Sequence, residues 1–181
     1  LALGVPSYGF ENKKSLVTAM LAVIMGGNMS SRLFINIRER KGLCYFIRMS
    51  SSIYEDTGNI MVQAGLDKSR VDLAIKAILA ELKRVKNKGV TAEELKRAQE
   101  YIKGKIVLDL EDSSSVADWF GKQMMLRKKI ETPEERFARL MKVTRVDIQK
   151  VAKELFKQNK LNLAVIGPFD DAKRFAKLLK I

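Results

Sequence analysis

Histidine is absent from this 181-residue chain, and cysteine and tryptophan occur once each, as Cys44 and Trp119. Without histidine there is no ordinary neutral-pH proton shuttle, and the zinc motifs H-x-x-E-H and H-E-x-x-H cannot be written. Ser-His and Cys-His nucleophile pairs fall for the same reason. One cysteine allows no internal disulfide and no thiolate metal cluster, so a reducing interior, the cytoplasm, is the expected location. Proline is scarce, at three residues, and no uninterrupted apolar run approaches the length of a membrane span, so no membrane partner is expected. What remains, 46% hydrophobic and 30% charged residues, describes a globular protein and not a disordered or fibrous one.

Acids are in deficit. Lys and Arg number 34 against 21 Asp and Glu, a net charge of +13. That charge fits either a polyanion ligand or a lysine-rich solvated surface. Acids interleave with the bases, as in ELKRVKNKGVTAEELKRAQE, and there is no basic tail or aromatic interleaving of the kind that stacks on bases. The solvated surface is preferred, and no nucleic-acid partner is expected. The carboxylate pairs Glu55-Asp56 and Glu111-Asp112 fall at turn or cap positions, where a structural role outweighs acid–base catalysis. Residue 1 is not Met, and LALGVPSY reads as a strand already under way, so a piece cut from a longer polypeptide is expected.

Periodicity and capping residues predict the elements. Residues 1–7 read as a buried strand ending at Pro6. Asn12 is placed to cap a helix over 12–25 that Gly26 and Gly27 stop. Ser30 or Ser31 is placed to cap a short second helix carrying Leu33, Phe34 and Ile37, which Gly42 ends. Residues 43–51 and 59–66 form a hairpin around YEDTGN. A long helix follows Asp67 and Ser69. Thr91 with Glu94 is a capping box, Asp112 or Ser113 caps a helix around 119–127, and Thr132-Pro133 and Thr144 with Asp147 open two more. Residues 161–166 read as a short apolar strand, and 170–179 as a last helix. The order implies one α+β domain over 1–181: a mostly antiparallel sheet with helices layered on one face, in a split β-α-β-β-α-β plan.

The segment 26–45, GGNMSSRLFINIRERKGLCY, carries the candidate site. Gly26-Gly27 lacks the Lys-Ser/Thr ending of a phosphate loop and follows a helix, so it reads as a helix stop that lets backbone come close to another chain. Arg38 and Tyr45 stand seven positions apart across a helix-to-strand corner. Spacing alone leaves two readings open: a surface ion pair and a half-buried strand aromatic, or two donors aimed at one carbonyl-rich ligand.

This segment resembles the signature of the second, non-zinc-binding homologous domain of the pitrilysin and mitochondrial processing peptidase family of inverted-motif zinc peptidases. The matching residues are Gly26, Gly27, Ser31, Arg32, Leu33, Phe34, Arg38, Glu39, Gly42, Leu43 and Tyr45. GVTAEELKRAQEYIKG from Gly89 and VTRVDIQKVAKELFKQNKLNLAVIGP over 143–168 extend the resemblance to nearly the whole chain. The resemblance implies a C-terminal half that binds no cofactor itself and faces a zinc-bearing homologous domain, in the same chain or a separate subunit. It further implies that Arg38 and Tyr45 hold an extended peptide substrate and support the tetrahedral intermediate, with Gly26 and Gly27 beside them, and that this half hydrolyses nothing alone. Cys44 stands where the family commonly has Ala or Gly. A non-catalytic scaffold or assembly subunit of the same family is the alternative.

Overall fold

The computed structural model describes residues 1–127 and 129–181. Four strands form one sheet in the order β2-β3-β1-β4: β1 (Ala2–Tyr8), β2 (Cys44–Ile53), β3 (Thr57–Leu66) and β4 (Asn162–Ala164). All three pairings are antiparallel. β1 and β2 are therefore parallel with β3 inserted between them, which is the split plan the sequence implies.

Pro6 lies inside β1 and does not end it. It faces Asn59 of β3, while β4 pairs with β1 only at Ala2, Leu3 and Gly4. At Pro6 the strand has a neighbour on one side only, where a missing N–H is tolerated. β4 is much shorter than the segment 161–166, which is apolar except for Asn162, and Ile166 is 99% exposed. At a sheet edge, apolarity alone does not extend a strand.

The helices are α1 (Lys14–Ala22), α2 (Val71–Lys88), α3 (Ala92–Asp109), α4 (Ser113–Leu126), α5 (Pro133–Met141), α6 (Arg145–Leu155) and α7 (Ala172–Leu178). Alternate residues in the middle of β1, β2 and β3 are buried: Leu3 and Val5, Ile47 and Met49, Ile60 and Val62. Against that face pack the apolar stripes of α1, α2 and α6, such as Leu16 and Met20, Ile75 and Ile78, Ile148 and Val151. Each such side chain contributes about 1.5–3 kcal/mol. Pro6, Phe46 and Arg48 stand exposed on the other parity, so the helices cover one face.

Side chains fix the ends of these elements. Asn12 does not occupy the cap of α1: its Oδ1 accepts from Lys14 N at 2.9 Å, but the cap position is Lys13, which makes no side-chain cap. Asp112 accepts from Ser115 N, so it, and not Ser113, caps α4, which begins several residues before Trp119. The Thr91–Glu94, Thr132–Glu135 and Thr144–Asp147 capping boxes all form. A polar knot closes the base of the sheet: Tyr8 OH donates to the Glu154 carboxylate of α6, which also pairs with Lys14 Nζ at 2.6 Å.

Candidate functional site

The signature segment is built from two wide, π-helical turns, Val23–Gly27 and Phe34–Glu39, flanking an extended Asn28. Such turns are uncommon and often mark functional sites. Gly26 leaves helical geometry and lies flat on β2: a Cβ there would stand 2.4 Å from Met49 N. The close approach that Gly26 permits is to this chain's own strand, whereas a Cβ at Gly27 would meet Val23 of the same turn. Gly26 is buried and acts by packing, while the Gly27 carbonyl accepts from Tyr101 OH at 3.4 Å.

Neither Ser30 nor Ser31 caps the second turn with its hydroxyl. Asn28 Oδ1 accepts from Ser30 N at 2.9 Å, and Ser31 Oγ donates to Asn28 O at 2.6 Å. The short apolar run gave no warning that its turns would be wide. At the far end Gly42 takes φ of 58°, letting its N–H reach Arg38 O and the next N–H, of Leu43, reach Ile37 O, each at 3.0 Å. A side chain at that φ is strained, so glycine is needed for the chain to turn from Arg38 into β2.

Tyr45 is displaced from the regular ladder. Cys44 pairs with Leu66, but Phe46 pairs with Gly65, so Tyr45 is the extra residue of a β-bulge. Leu43, Ile47 and Met49 share its parity and are 9%, 5% and 4% exposed, whereas Tyr45 is 73% exposed. An unbroken strand would send the phenol into the core; the bulge turns it out to solvent. Bulges beside active sites re-aim side chains in this way.

Arg38 is also solvent-facing. Its guanidinium lies over the Phe34 ring at 4.8 Å and reaches only a loose contact with Glu39 at 3.8 Å. With side chains 42% and 57% exposed, that ion pair holds Arg38 weakly. The guanidinium also acts on Cys44, the neighbour of Tyr45: burial pushes the Cys44 thiol up, and the Arg38 charge opposes it. Arg38 and Tyr45 are thus two exposed donors of one helix-to-strand corner. A cavity of about 690 Å³ lies elsewhere, between α1, α5 and the α4–α5 connection, and neither residue lines it.

Arg32, also in the signature, locks this corner to α3. Its Nε and Nη2 donate to the two Glu94 carboxylate oxygens at 2.5 and 2.7 Å, and Nη2 also reaches Gly89 O at 2.9 Å. Burial pushes the Glu94 carboxyl up, but Arg32 and the Thr91 N–H outweigh it and hold it at about 2. Sequence reading placed Glu94 as a cap and missed this second role, because the pair spans 62 residues. The residues present do not fit a zinc ion: the chain has no histidine, and among the described residues no three of Cys, Asp and Glu gather in a group that could hold a metal.

Comparison with known proteins places the chain in a family. Residues 1–102 match the family described as the peptidase M16 inactive domain. The chain is 32% identical over 169 residues to an uncharacterised zinc protease of Streptomyces coelicolor, covering 93% of this chain and 37% of that protein. It is also 32% identical over 168 residues to the uncharacterised zinc protease YmxG of Bacillus subtilis, covering 93% and 41%. A crystal structure of a protease from Helicobacter pylori shares the fold, with a TM-score of 0.81 at 23% identity over 88% of this chain and 39% of that one. The chain spans about two fifths of the length of the curated relatives it matches. Since the family match runs over more than half of it, the chain belongs to the peptidase M16 inactive-domain family.

Proposed function

We propose that this chain is the substrate-holding half of a zinc-dependent endopeptidase, and that the zinc is carried by a second, homologous domain in the same polypeptide or in a partner subunit. The family, the names of the relatives and a donor set that cannot hold zinc support this division of labour. The observation that carries the residue assignment is the bulge at Tyr45. It interrupts the ladder and exposes a large aromatic that an unbroken strand would bury.

On this reading the peptide lies extended across the corner. The Arg38 guanidinium, fixed over Phe34, donates to main-chain carbonyls, and its five N–H groups suit that task. The Tyr45 O–H donates to the oxygen that gains negative charge as the scissile carbonyl becomes tetrahedral. Gly26 seats the corner on β2, and the Gly27 backbone flanks the substrate path.

The test is steady-state hydrolysis of a fluorogenic peptide by the intact two-domain enzyme. Arg38→Ala and Tyr45→Phe are each expected to lower kcat/KM about 10²-fold. Both side chains are exposed, so neither change should disturb folding. Full activity in both variants would overturn the assignment.

A further inference from the structure

The cavity of about 690 Å³ lies outside the Arg38–Tyr45 corner and has its own chemistry. Its floor is apolar, made by Phe10, Leu16, Val17 and Val143. Among the described residues it is lined by five cations: Lys13, Arg127, Lys129, Arg139 and Lys142. Four carboxylates also line it, and three are already engaged. Glu135 and Asp147 serve the capping boxes of α5 and α6. Glu131, with its side chain 8% exposed, accepts from Arg127 at 2.9 Å, Arg136 at 3.3 Å and Arg139 at 2.7 Å. Glu11 is the fourth.

Three guanidiniums on one carboxylate leave positive charge unmatched. Arg127 and Arg136 are themselves mostly buried, at 15% and 19% exposure, so water does little to screen their repulsion. Arg136 registers this: burial and the neighbouring Arg127 and Arg139 outweigh Glu131 and pull its guanidinium below the usual range. Among the described residues, Lys13 and Lys142 have no acidic partner within ion-pair distance. The volume falls within the range of small-molecule sites, which join an apolar body to a few oriented polar groups.

We propose that this cavity binds an organic anion with an apolar body, a carboxylate or phosphate monoester whose head group lies among Lys13, Arg139 and Lys142 and whose body rests on Phe10, Leu16 and Val143. The Phe10 ring, stacked under the Arg127 guanidinium at 4.3 Å, joins the two halves of the site. The chain carries a reporter for it. Trp119, its one tryptophan, donates through Nε1 to the Glu131 carbonyl at 3.0 Å and lines a smaller pocket that shares Phe10, Arg127 and Glu131.

The experiment is a titration of the full 181-residue chain with decanoate, decyl phosphate and decanol, read by Trp119 emission and by calorimetry. At least one anion is expected to bind saturably with a one-to-one stoichiometry below about 1 mM, and decanol at least about tenfold more weakly. Whichever anion binds more tightly names the head group. The Lys13→Glu/Lys142→Glu double variant, altered only at exposed residues, is expected to lose about tenfold or more in affinity. Absence of saturable binding by both anions, equal binding of decanol, or an unaffected double variant would each overturn the proposal.

Discussion

Gly26 and Gly104 are both glycines in helical context, yet they should answer the same substitution in opposite ways. A methyl at position 26 would stand 2.4 Å from Met49 N and 2.7 Å from Met49 Cβ, atoms that cannot yield without shifting β2. Gly26→Ala should therefore destabilise the fold by about 1–3 kcal/mol, the usual range for overpacking. At Gly104, on exposed α3, nothing lies within 4 Å of an added Cβ. Gly104→Ala should stabilise by about 0.5–1 kcal/mol through helix propensity and a less flexible unfolded chain. Urea midpoints at unchanged m-value separate the two. Equal shifts would mean that Gly26 does not pack on β2 as described.

Sequence singles out Arg38 and Tyr45 as a candidate pair, but it does not show how Tyr45 reaches solvent. A bulge is a property of two strands in register, and only the pairing of Cys44 with Leu66 and Phe46 with Gly65 reveals it. From β2 alone, alternation would put Tyr45 with Ile47 and Met49 in the core. The Phe34 platform under Arg38 lies only four residues away on the same turn and was missed because Phe34 was counted only as an apolar helix residue.

Among elements, the start of α3 makes a further prediction. Glu94 closes the capping box and holds Arg32, so one carboxylate ties α3 to the corner that carries Arg38. Its pKa is about 2 in the fold against an ordinary 4.5. Because the folded value is the lower, its stabilisation is fully present above about pH 4.5 and is lost as pH falls toward 2. At about 1.4 kcal/mol per unit, the loss is about 3 kcal/mol. The Glu94→Gln variant should be less stable than the parent at pH 6, and the gap should close by pH 2 in urea melts. A gap independent of pH would show that the carboxylate's charge is not what matters. Thr91→Ala, which removes the reciprocal hydroxyl, should cost about 1 kcal/mol.

The capping boxes were legible because their donors and acceptors lie three residues apart. β4 was overread because residues 161–166, apolar except for Asn162, are not enclosed. The Glu131 cluster was not anticipated at all: it needs α4 to return through the α4–α5 connection onto α5 before Arg127, Arg136 and Arg139 meet one carboxylate.

At the scale of the whole molecule, the strand order followed from the sequence because hairpin, helix and crossover leave few alternatives once the elements are assigned. The charge of +13 does not by itself name a function, because the 34 bases and 21 acids are interleaved along the whole sequence. The proposed function divides one activity between two domains. The isolated chain, supplied with zinc, should show no peptide hydrolysis in a fluorogenic assay, and adding the zinc-bearing domain should produce it. Zinc-dependent turnover by the chain alone would contradict that division.

The most direct measurement is a double-mutant cycle on kcat/KM in the assembled enzyme, with Arg38→Ala, Tyr45→Phe and the two combined. If both side chains act on one bound peptide, each single change should cost about 10² and the pair far less than the 10⁴ that independent effects would give. Full additivity, or no loss from either change, would contradict a shared grip on the substrate.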